Sequence, residues 1–148
     1  MRTFRQATRE DAPLILEFIK GIAEYEKMLD EVRATPELLL EWLFDKGAGE
    51  VIFVMEDDRE VGFVLYFYNF STFVGKAGLY IEDLYVKPEH RGKGHGKALM
   101  EFLIAKARKE GLGRMEWTCL DWNAPSIAFY KSLGARPMDE WTNFRLSL

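Results

Sequence analysis

Apolar residues recur along the chain in two rhythms, and the switches between them outline its elements. "RTFRQA" reads as a short strand. Thr8 and Asp11 have the spacing of a capping box, which predicts a helix from there to about Lys27. Ile15, Phe18, Ile19 and Ile22 give that helix one apolar stripe. In "TPELLLEWLF", Thr35 is placed to cap a second helix and Pro36 to occupy its first position. "EVIFVME" and "EVGFVLYFYNF" follow as strands, and the polar turn Asp57-Asp58-Arg59 between them predicts a hairpin. "AGLYIEDLYV" is a further, longer strand that ends at Pro88.

The second half alternates. A helix with Leu99, Phe102 and Leu103 on one face stops near Gly111. "RMEWTCL" is the next strand, "PSIAFYKSLG" a short helix stopped by Gly134, and "NFRLSL" a closing strand. A hairpin feeding a strand–helix–strand half predicts an α/β fold of the mixed kind, a central sheet with helices on both faces. No linker or repeat divides the chain, so residues 1–148 read as a single domain.

Composition narrows the function classes. The chain has 148 residues and a hydrophobic fraction of 48%, enough for a sizeable core without staples. Its one cysteine, Cys119, lies among apolar neighbours in a strand and reads as a small buried residue in a reducing compartment. A net charge of −4 argues against nucleic acid as a partner. Two histidines and one cysteine without ligand spacing argue against a metal site. No apolar run has the length of a membrane span, and "MRTFRQATRED" lacks a signal-peptide core, so the expected location is cytoplasmic, with no membrane partner.

The stretch after Pro88 asks for a ligand. Gly92, Gly94 and Gly96 alternate with Lys93, His95 and Lys97, behind Arg91 and at the mouth of a helix. Free amides and the positive end of a helix dipole make an anion site there, and glycine lets the anion come close. The spacing fits neither a Walker A loop, because Ala98 follows Lys97, nor the dinucleotide fingerprint, because Lys97 and Leu99 stand where its third glycine belongs. What remains is R-x-x-G-x-G from Arg91 to Gly96. This motif resembles the acetyl-CoA pyrophosphate cradle of the GNAT superfamily of N-acetyltransferases. "WNAPSIAFYKSLGA" resembles the segment that follows the next strand in that family. Together with "IAEYEKM" and "YIEDLYV" these stretches resemble the diamine acetyltransferase family (spermidine/spermine N-acetyltransferase-like).

The resemblance implies a mostly antiparallel central sheet flanked by helices, acetyl-CoA as co-substrate, and a homodimer. It implies an acceptor that is a small cationic amine, either a polyamine or a thialysine- or lysine-like amino acid. A protein or peptide N-acetyltransferase and a non-catalytic acyl-CoA-binding module are the alternatives.

It also implies roles for particular residues. The backbone from Gly92 through Lys93, Gly94, His95 and Gly96 to Lys97 anchors the cofactor, with Arg91 adding charge. The backbone of Leu84, Tyr85 and Val86 pairs with the pantetheine arm and supplies the oxyanion donor. Asn123 contacts CoA, and with Ser126 it also reads as a helix cap. Tyr130 is the general acid, a phenol that stays protonated at neutral pH. Glu82 is the base, acting through water, while Asp83 is structural. Adjacent strand residues face opposite sides, so the two carboxylates are not expected to act on one substrate atom. Tyr25 and Glu26, at the end of the first helix, border the amine with Glu82, Glu116, Trp117 and Thr118.

Overall fold

Five strands pair in chain order: β1 (Arg2–Gln6), β2 (Glu50–Glu56), β3 (Arg59–Ser71), β4 (Lys76–Val86) and β5 (Met115–Trp117). The first three junctions are antiparallel, whereas β4 and β5 run parallel. A parallel pair needs a crossover, and α3 (His95–Lys109) supplies it. The computed structural model describes residues 1–148, which group into two units, Met1–Trp117 and Thr118–Leu148. The sheet lies in the first unit, with α1 (Ala12–Tyr25), α2 (Pro36–Leu39) and α3; α4 (Ala124–Ser132) lies in the second. The mixed, mostly antiparallel sheet with helices is the expected class.

Local chemistry explains the boundaries. The backbone amide of Thr8 donates to the Asp11 carboxylate at 2.7 Å, which closes the capping box before α1. The helix stops at Tyr25 rather than Lys27, because Lys27 turns left-handed (φ 63°) and Met28 N reaches back to Ala23 O at 2.8 Å. The hairpin turn uses Asp57 and Asp58 alone, both at positive φ, which matches the twist of the flanking strands. Thr35 caps α2 by accepting from Leu38 N at 3.1 Å. The expected long helix is then broken in type, and Leu40–Asp45 continue it as a π-helical stretch.

The sheet is covered on both faces. Val51, Phe53, Met55, Phe63 and Leu65 form one core with Ala12, Ile15 and Phe18 of α1 and with Leu39. The Phe18 ring lies 5.7 Å from Phe53 and 5.2 Å from Phe63. Their alternates Ile52, Val54, Val64, Leu79 and Ile81 are buried on the other face, where α3 with buried Leu99, Met100 and Leu103 packs on β3 and β4. Each such large side chain contributes about 2 kcal/mol on burial.

Two expected strands differ. β5 covers only Met115–Trp117 of "RMEWTCL", and "NFRLSL" forms no strand. A strand exists only where its backbone groups find a partner; residues 143–148 enter no ladder, and Phe144, Leu146 and Leu148 are exposed despite their alternation.

Candidate active site

The glycine loop presents backbone, as the sequence suggests. Gly92 and Gly94 take φ of 80° and 83°, left-handed values that glycine adopts without strain. The first bond inside α3 runs from Ala98 N to Gly94 O at 3.0 Å. The amides of His95, Gly96 and Lys97 are therefore left over at the positive end of the helix. A Cβ placed on Gly96 would stop 3.8 Å from Leu84 Cδ2 and 3.9 Å from Val86 Cγ2, ordinary contacts. The protein itself does not require glycine at that position.

The basic side chains of the loop mostly look elsewhere. Lys93 Nζ approaches Glu56 at 3.2 Å, and the Lys93 carbonyl accepts from Arg2 at 2.6 Å. His95 is buried, its Nδ1 accepting from Arg2 Nε at 3.1 Å while Nε2 faces Glu56 at 3.4 Å. His90 Nδ1 also meets Glu56, at 3.0 Å. Lys93 first, then His90 and His95, hold the Glu56 carboxyl below its ordinary range. The side chains of Lys93 and His95 thus brace the loop on Glu56. Glu56 was not singled out in the sequence, where only its place beside the Asp57-Asp58 turn marks it. Lys97 is exposed, with Glu101 at 3.9 Å. Arg91 Nε donates to the Val86 carbonyl at 2.9 Å.

β4 carries the acidic part. Leu65 of β3 pairs with Asp83, yet the next residue, Tyr66, pairs with Ile81, so Glu82 is an inserted bulge residue. The bulge breaks the alternation expected for "YIEDLYV". Tyr80, whose ring lies 5.0 Å from Phe67, and Tyr85, packed on the Phe18 core, are on the α1 face. Glu82 is two residues beyond Tyr80 and Asp83 two before Tyr85, so both carboxylates belong to that same face. The expectation that they point to opposite sides is corrected by this one extra residue.

Glu26, at the end of α1, joins them electrostatically. Burial, then the Glu82 charge, then the Glu26 charge push the Asp83 carboxyl up to about 7. Burial alone raises Glu26. Asp83, set aside in the sequence as structural, is therefore the most perturbed acid of the site. Parallel pairing with β5 ends at Ile81–Trp117, and from Asp83 to Val86 the β4 backbone has a strand partner only on its β3 side. In β5, Glu116 stands beside Tyr80 and takes Arg114 Nε at 3.2 Å. Thr118 is exposed in the second unit.

That unit holds α4. Asn123 is buried and caps it, its side chain accepting from Ser126 N at 3.4 Å, so Ser126 is the donor and not a second cap. Tyr130 is partly buried, its ring 5.5 Å from that of Phe129.

The raised Asp83 acid has a stability consequence. Its folded value near 7 lies above the ordinary 3.8, so the fold favours the protonated form, and stability falls as pH rises between those limits. Asp83→Asn is expected to gain on the order of 2–4 kcal/mol at alkaline pH, at about 1.4 kcal/mol per pKa unit, and almost nothing in acid. Urea unfolding at pH values below and above this window checks it. An equal effect at both would contradict the burial and repulsion described.

The free amides at the start of α3, the β4 backbone paired only on its β3 side and the carboxylates of Glu82, Asp83 and Glu26 are the features of this site. Residues 15–135 match the model of the acetyltransferase (GNAT) family, and the chain belongs to that family. It is 34% identical to the thialysine N-epsilon-acetyltransferase of Sus scrofa, over 95% of this chain and 89% of that protein. It is 30% identical to the human spermidine/spermine N(1)-acetyltransferase-like protein 1, over 97% of this chain but only 22% of that protein. Among solved structures it resembles an integron cassette protein from the mobile metagenome of V. cholerae, with a TM-score of 0.81 and 27% identity, over 99% of this chain and 92% of that one. GNAT acetyltransferases use acetyl-CoA as co-substrate, and this chain is an acyltransferase of that kind.

Proposed function

We propose that the enzyme transfers the acetyl group of acetyl-CoA to the primary amine of a small cationic acceptor, a polyamine or a thialysine- or lysine-like amino acid. The observation that carries this is the gathering of Glu26, Glu82 and Asp83, with both β4 carboxylates on the α1 face through the bulge. Carboxylates repelling one another in a partly buried place are relieved by an ammonium group, and more so by a dication. Tyr25, at the end of α1, adds an aromatic face to the same end of that helix. Glu116, Trp117 and Thr118 complete the acceptor's surroundings in this reading.

The amides of His95, Gly96 and Lys97 hold the pyrophosphate, with Arg91 adding charge, and the backbone of Leu84–Val86 receives the pantetheine arm. Asn123 contributes a further CoA contact. The acceptor ammonium loses a proton to Glu82 through water. The amine lone pair then attacks the thioester carbonyl, and a backbone amide of the β4 segment stabilises the oxyanion. The C–S bond breaks, Tyr130 gives its proton to the departing thiolate, and the second proton of the acceptor nitrogen returns through solvent to the phenolate as the neutral amide forms.

Glu82→Gln is expected to lower the rate near neutral pH and to recover partly in alkali, where more amine is already neutral. An unchanged pH–rate profile would show that the base lies elsewhere. A neutral-pH limb that survives in Glu82→Gln but vanishes in Asp83→Asn would move the role to Asp83, whose carboxyl is pushed up to about 7 by burial and its acidic neighbours. Glu26→Gln should raise KM for doubly charged acceptors more than for a singly charged amine, with CoA affinity unaffected. Equal changes would remove Glu26 from reading substrate charge.

The family match crosses from the first unit into the second, which supports residues 1–148 acting as one catalytic domain. No helix is long and apolar enough to cross a membrane. A cytoplasmic homodimer accords with the single cysteine and with the exposed Phe70 and Phe73 near the β3–β4 turn. Sedimentation at working concentration should give twice the 17.2 kDa chain mass.

A further inference from the structure

The end of α1 and the root of the glycine loop are joined by one stack of side chains. The Arg91 guanidinium lies 5.1 Å from the Tyr25 ring centroid and 5.3 Å from that of Tyr85. Its Nε is committed to the Val86 carbonyl at 2.9 Å, which fixes the plane against β4. Tyr85 is in turn seated on α1. A Cβ on Gly21 would fall 2.8 Å from Tyr85 Cε2, Cζ and OH, so the ring rests against the helix backbone where only glycine leaves room. Phe18 meets the same ring edge-on, with centroids 6.3 Å apart.

We propose that Arg91 is a positioning residue that couples the two substrates: by stacking on Tyr25 and Tyr85 it ties the acceptor end of α1 to the cofactor loop. This rests on the reading of the site given above. Arg91 directly precedes the glycine loop, and Tyr25 directly precedes Glu26. A cofactor phosphate that orders the guanidinium therefore also orders the aromatic face and carboxylate offered to the amine. By linkage the effect runs both ways, so a bound amine tightens cofactor binding by the same factor. Only the planar cation can serve both rings and the carbonyl together. A lysine keeps the charge but not the stack.

Hydrogen exchange with and without CoA tests the coupling without needing an acceptor. In the wild-type protein CoA should slow exchange at residues 92–97 and, through the stack, at residues 23–28, the latter by roughly threefold, the size of one exposed cation–aromatic contact. Gly21→Ala pushes the Tyr85 ring aside without touching the loop. It should weaken the effect at residues 23–28, where Arg91 still meets Tyr25 directly, and keep that at 92–97. Arg91→Gln and Arg91→Lys should both lose the effect at residues 23–28, because charge alone does not restore the stack. With thialysine as acceptor, Gly21→Ala should raise the amine KM by up to roughly threefold at unchanged kcat, the same stack being weakened. Protection of residues 23–28 that persists in Arg91→Gln, or that never appears although the loop is protected, would overturn the coupling. Failure of CoA to protect the loop in the wild-type protein would overturn the cofactor assignment, and the coupling with it. Absence of thialysine turnover would count only against the proposed acceptor, since exchange decides the coupling.

Discussion

Tyr130→Phe is expected to lower kcat by on the order of 10²-fold, within the range for a lost general acid, and to leave acetyl-CoA affinity nearly unchanged. The departing thiolate must be protonated, and a phenol near ~10 giving a proton to a thiol near ~8.5 is uphill by only roughly 2 kcal/mol. Removing one oxygen from a partly buried ring leaves its 5.5 Å contact with Phe129 in place, so the fold of α4 should survive. Single-turnover kinetics with pre-bound cofactor isolates the chemical step. Full activity in this variant would make Tyr130 a packing residue and leave the acid to be found elsewhere.

Gly96→Val should weaken acetyl-CoA binding by on the order of 10²-fold, the loss of about two hydrogen bonds to a charged group at roughly 1.5 kcal/mol each. A Cβ alone meets Leu84 and Val86 at ordinary distances, so Gly96→Ala, expected to fold, is measured beside the bulkier valine. Gly94→Val confounds the test, because φ of 83° strains any β-branched residue whatever the ligand does. Calorimetric titration gives the affinity and thermal unfolding confirms the fold. Unaltered affinity in folded Gly96→Val would take the loop out of the cofactor site.

The strands were legible because alternation is local. Val51, Phe53 and Met55 against Ile52 and Val54 can be assigned to two faces from β2 alone, and both faces are buried. The glycine loop was legible for the same reason, since helix-end amides and small residues lie within one short stretch. The bulge was not. Whether Glu82 is inserted depends on Leu65 and Tyr66 of the neighbouring strand, and one inserted residue moved a carboxylate to the other face. Lys93 and His95 were expected to serve a ligand through their backbone, and the work of their side chains was not legible. Their partner Glu56 lies 37 and 39 residues away in sequence, which no local pattern reveals. Asn143–Leu148 shows the converse, an alternating segment that enters no ladder. Asp83 reached prominence only through burial and its two acidic neighbours, both properties of the folded chain.

Release of CoA from acetyl-CoA, followed with thialysine, spermidine and a lysine-containing peptide as separate acceptors, decides whether the enzyme acetylates a small cationic amine. Turnover is expected with a free small cationic amine, with a mass gain of one acetyl group on that amine and little or no reaction with the peptide. Turnover confined to the peptide, or tight CoA binding without acetylation of any amine, would contradict it.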